Sequence, residues 1–173
     1  MLHGWDNFYL MMGSAAAALI GLLFVVMTLT SGFERSQALR GASLYMTPTA
    51  LHFGVVLSTS AVTLAPGLPL SVIVVLLGVI ALAGLGYSVR SCIGIANPRQ
   101  GAEPPHWSDF WTYGASPAAI YVGLCVAIVA LWVRAEWGPY AIAGLLLVLL
   151  LVGIRNAWDL ITWIAPKRPD SSA

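Results

Sequence analysis

The side chains of this sequence that could do chemistry away from water gather on two apolar segments. In the first, Pro48, Thr49, His52, Thr59, Ser60 and Thr63 fall within an arc of about 120° when laid on a helix at 100° per residue. Polar groups inside a membrane are costly and turn away from lipid, so this face could line a path for a small solute or ion. The same hydroxyls could instead bond to carbonyls of their own helix or to neighbours. In the second segment, Arg155 and Asp159 stand one helical turn apart and can pair. With Asn156 they could also form a polar gate, or a lipid-phosphate site beside helix starts capped by Thr47 and Ser116.

His52 is the only histidine inside an apolar run. A helix opening at Pro48 would put it only about 6 Å past the start, at a depth where rings anchor helices to the interface. A metal or haem would need further ligands, and His3 and His106 lie elsewhere, with no H-E-x-x-H and no Cys/His cluster. Neither a metal site nor a cofactor is therefore expected. Cys92 and Cys125 form no C-x-x-C pair and read as small buried hydrophobes. Enzyme signatures are missing as well: there is no G-x-S-x-G, no phosphate-cradling glycine loop and no inward pair of carboxylates, so no catalytic residue is assigned.

The elements that must position these residues follow from composition. Hydrophobic residues make up 59% of the 173 and charged residues 9%, where a soluble domain carries roughly 25% charged residues. A chain this short could not hide so many apolar side chains in one water-soluble core, so the lipid bilayer is the expected surrounding. Net charge is +1 with dispersed basic residues, which argues against nucleic acid as a partner. No Lys or Arg precedes the first apolar run, and that run is too long for a signal peptide, so the first helix is expected to be retained.

A helix needs about 20 mostly apolar residues to cross the hydrocarbon. Five stretches qualify, at about 9–30, 48–64, 70–93, 117–133 and 140–164, within one transmembrane domain over 1–164 and before a short polar tail at 165–173. The expected fold is an all-α integral membrane bundle, one leading helix followed by two hairpins. Tight Pro/Gly turns at 65–69 and 134–139 make the hairpins. Arg35, Arg40, Arg90, Arg99, Arg155, Lys167 and Arg168 then share one side and only Arg134 lies on the other, which predicts N-out, C-in. Trp5, Trp132, Trp137 and Tyr140 would form one aromatic belt, and Trp107, Phe110, Trp111, Tyr113, Trp158 and Trp163 the other. The ring-dense run 106–113 reads as a short interfacial element.

An internal repeat underlies the hairpins. Residues 47–54 (TPTALHFG) lie against 116–123 (SPAAIYVG) without a gap: hydroxyl, Pro, any residue, Ala, aliphatic, aromatic, apolar, Gly. Duplication would make the hairpins parallel copies about an axis along the membrane normal. Chance in a biased composition is the alternative, and capping by Ser or Thr before Pro gives a physical reason for the shared start.

The leading helix carries Gly13, Ala17 and Gly21 at four-residue spacing, a packing site either inside the protomer or between protomers. Residues 5–9 (WDNFY), the alanine-rich run 13–25 and the ending 153–160 (GIRNAWDL) resemble small multispanning bacterial membrane proteins to which no activity is attached. The resemblance implies a bacterial inner (cytoplasmic) membrane. The function expected is that of a non-enzymatic membrane protein, a homo-oligomer or an accessory subunit of a membrane complex. The alternative is a small channel or carrier lined by the polar face of the second helix.

Overall fold

A computed structural model describes residues 4–30, 35–96 and 110–164, and the regular structure among them is helical throughout. The helices are α1 (Asp6–Thr30), α2 (Arg35–Leu64), α3 (Leu70–Ala96), α4 (Ser116–Trp132) and α5 (Gly138–Ile164), with a π-helical segment, Phe110–Ala115, running directly into α4. Three helices, over Asp6–Thr28, Leu70–Gly94 and Gly138–Asp159, are long and apolar enough to cross a membrane; Pro48–Leu64 and Ser116–Trp132 are shorter apolar helices. This is the build of a membrane protein, since a backbone surrounded by lipid must satisfy its hydrogen bonds within its own segment.

Two helix starts differ from the sequence expectation. α2 begins at Arg35, well before Pro48, because the intervening Gln37, Ala38, Leu39, Arg40 and Ala42 are good helix formers and a single interior Pro removes only one ladder bond. Thr47 is therefore an interior residue and no cap. Ser116 is no cap either: Ala115 precedes α4 in helical conformation (φ −67°, ψ −43°) with no side-chain cap bond, because the π-helical turn already supplies the preceding backbone.

Both hairpin turns form as the Pro/Gly pattern predicts. Gly67 takes φ +73° in the first. At the second, α4 ends in a Schellman motif, with the Ala135 N–H donating to the Ala130 carbonyl (2.9 Å) and the Arg134 N–H to that of Leu131 (3.2 Å). The left-handed position that this motif normally gives to glycine is held here by Arg134, at φ +59°. Gly138 follows with its Cα hard against the end of α4, where a Cβ would come within 2.8 Å of the Leu131 backbone nitrogen.

The helices of the two hairpins form a ring in which α2 packs on α3, α3 on α4, α4 on α5 and α5 on α2. α2 and α4 thus face one another across a diagonal. Their inward side chains, with those of α3 and α5, make a core that includes Phe53, Leu77, Leu124, Ile142, Leu146 and Leu149. α1 lies outside the ring, mainly against α2 and with a lesser contact to α5. It is tied down at its start, where the Trp5 ring meets Tyr140 edge-on at 5.1 Å and Phe8 at 5.8 Å. The turns and the start of α1 therefore share one end of the bundle, called here the hairpin end; the other is the open end.

Candidate functional site

The polar face of α2 turns inward. Pro48, Thr49, His52, Thr59 and Ser60 are buried, and Thr63, half-buried, donates its hydroxyl to the Thr59 carbonyl of its own helix at 2.8 Å. A largely apolar space of about 10 Å³ lies beside Thr59, lined by Val55, Leu77, Ala81, Leu124 and Ile142 among others. On the same measure one water molecule needs roughly 10–15 Å³.

His52 is 1% exposed and shares a 2.8 Å hydrogen bond, through Nδ1, with the Tyr121 hydroxyl. It is a core residue and not the interfacial anchor that counting from Pro48 suggested. The two partners are 69 residues apart, the same offset that aligns TPTALHFG with SPAAIYVG. That offset recurs along the diagonal: Val55 and Leu124, then Thr59 and Ile128, line the same small cavity.

It recurs again where the hairpins interlock. A Cβ built on Gly84 would overlap the Tyr121 ring, and one built on Gly153, 69 residues later, would come within 2.5 Å of the Phe53 ring. Each hairpin thus seats an aromatic ring of the other on a glycine at the equivalent place of its second helix. Sequence reasoning passed over both glycines, although their common offset was a signal that could have found them.

The trio on α5 is divided by the helix. Arg155 and Asp159 are exposed, whereas Asn156 is completely buried. Asn156 is thus set apart from Arg155 and Asp159, because 100° of rotation per residue sends it into the bundle while its neighbour stays outside. Inside, neither Asn156 Oδ1 nor Nδ2 has a hydrogen-bond partner, and the same holds for His52 Nε2, Ser88 Oγ, Ser60 Oγ and the Tyr9 hydroxyl.

The small residues of α1 also divide. Gly13 is buried, and a Cβ there would come within 3.1 Å of the Ser60 Cβ, so this glycine lets α1 approach α2. The other buried contacts of α1 are Tyr9, Met12, Ala16 and Leu23. Ala17 and Gly21 lie on the outward side with Ser14 and Ala18, and a Cβ on Gly21 would meet nothing within 4 Å. No family model, curated protein or solved structure matches this chain.

Among the described residues no group of three or more His, Cys, Asp or Glu could hold a metal ion. Cys92 and Cys125 are free thiols, half-buried in α3 and α4. The run 106–109 and the tail 165–173 lie outside the described residues. Trp111 and Trp158 are exposed towards the open end, while Trp132, Trp137 and Tyr140 are exposed at the hairpin end.

Proposed function

We propose that this is a non-enzymatic integral membrane protein of the bacterial inner membrane that acts by association, as a homo-oligomer or as an accessory subunit of a membrane complex. Five spans with the N-terminus outside and the C-terminus in the cytoplasm fit the placement of Arg90 and Arg155 towards the open end and of Arg134 at the hairpin end. The observation that carries the reading is the outward side of α1. Ser14, Ala17, Ala18 and Gly21 leave a shallow strip there, and in lipid such strips drive helix association by close backbone contact.

The alternative, a conduit along α2, has less support. Its hydroxyls face packed helices, Thr63 is already bonded to its own backbone, and the space beside Thr59 admits about one water.

Mass measurement in nanodiscs tests the proposal. Wild type should run as an assembly, with itself or with a stoichiometric partner, and Gly21→Leu or Ala17→Leu should release the monomer while leaving its melting temperature unchanged. A wild-type monomer indifferent to both substitutions, with no partner retained, would overturn it.

A further inference from the structure

Four buried side-chain atoms on α2, α3 and α5 have no hydrogen-bond partner. Tyr121, held by His52, presses its ring on Gly84, and Ser88 stands on the same side of α3 one turn nearer the open end. Phe53, next to His52, presses on Gly153, and Asn156 stands one turn nearer the open end on α5. Because α2 and α5 run in opposite directions, that turn brings Asn156 level with Thr49, within a turn of His52. His52, Ser88 and Asn156 are each no more than 1% exposed. Between them they leave unbonded one imidazole nitrogen, one hydroxyl oxygen, and the oxygen and nitrogen of an amide.

Buried polar groups are almost always hydrogen-bonded, and lipid around the bundle offers no partner. The donor set also says what the partner is. It contains no carboxylate, thiolate or fixed cation, so nothing balances an ion, while an amide and a hydroxyl both donate and accept and suit a neutral molecule that does the same. A buried water makes about three hydrogen bonds to groups of this kind, so water is the partner that these atoms fit.

We infer that the slice between the hairpins bounded by His52, Ser88 and Asn156 is an internal water-binding site that joins α2, α3 and α5 across the His52–Tyr121 pair. It is independent of the α1 face and stands whether or not the protein associates.

Water-edited solid-state NMR of the labelled protein in lipid bilayers tests it, with bulk water protons as the probe. Magnetisation should reach the Asn156 side-chain amide and the His52 ring several-fold faster than the methyls of Leu146 and Leu149, which are equally buried. Build-up at Asn156 as slow as at those leucines would overturn the inference. In Asn156→Leu, transfer to the His52 ring should fall at least twofold; unchanged transfer in a variant with wild-type backbone shifts would show that no site is shared. Should that variant fail to fold, the wild-type comparison decides alone.

Discussion

The two hairpins of this protein are alike where they grip each other and unlike where α1 covers one of them. Gly84 and Gly153 do the same work 69 residues apart, each seating a ring from the opposite hairpin. Ser60 and Val129 occupy equivalent places and do opposite work: Ser60 is 1% exposed under Gly13 of α1, whereas Val129 is 60% exposed on α4, which has no such cover. The difference teaches that the pattern of the ring is set by the mutual fit of the hairpins, and that side-chain size and polarity along α2 are set by a third partner. A small residue is needed where a helix backbone approaches closely, and a branched apolar one is tolerated where lipid is the neighbour.

The largest expected effects come from the ring seats. Gly84→Ala and Gly153→Ala should each destabilise the bundle by about 1–3 kcal/mol through overpacking against a buried ring, read as a lower melting temperature in detergent. Gly86→Ala should not, since a Cβ there meets nothing within 4 Å. If all three behave alike, the equivalence of the hairpins is not a matter of interlocking.

Tyr121→Phe should cost about 1–3 kcal/mol by leaving His52 Nδ1 buried without its partner. His52→Phe combined with Tyr121→Phe should cost less than the two single changes added together, because both ends of the bond are then removed. Thermal unfolding of the three variants checks this.

Ser60→Val should loosen α1 by about 1–3 kcal/mol, because added methyls have no room beside Gly13, whereas the mirror change Val129→Ser should leave stability within about 0.5 kcal/mol. Proteolysis within α1 would report the first, and matched melting curves the second.

The smallest effect lies in the second turn. Arg134→Gly should stabilise by up to about 1 kcal/mol, the residue being in the left-handed region that glycine adopts without steric penalty. Gly138→Ala, four residues on, belongs with the ring seats in size and should destabilise by about 1–3 kcal/mol, since its Cβ would meet the Leu131 backbone.

Much of this architecture is legible in the sequence. Pro and Gly at 65–69 and 134–139 announce both turns, and the run of apolar residues leaves helix as the only element. Aligning TPTALHFG with SPAAIYVG already pairs His52 with Tyr121. What the residues could not disclose was depth: Pro48 reads as a helix start, and only the preceding turns of α2 move His52 from the rim into the core. Nor does adjacency in sequence reveal facing, which is why Arg155 and Asn156 read as one group although one is exposed and the other buried. Gly21 illustrates a third limit, since spacing shows that a face is small without showing what lies against it.

Cross-linking tests the facing of the hairpins most directly. In a Cys92→Ala, Cys125→Ala background, Thr59→Cys with Ile128→Cys should form an intramolecular bridge with a short bifunctional thiol reagent in lipid. Thr59→Cys with Val126→Cys, the latter turned outward on α4, should not. Efficient bridging of the second pair, or none of the first, would contradict an arrangement in which residues 69 apart meet along the centre of the bundle.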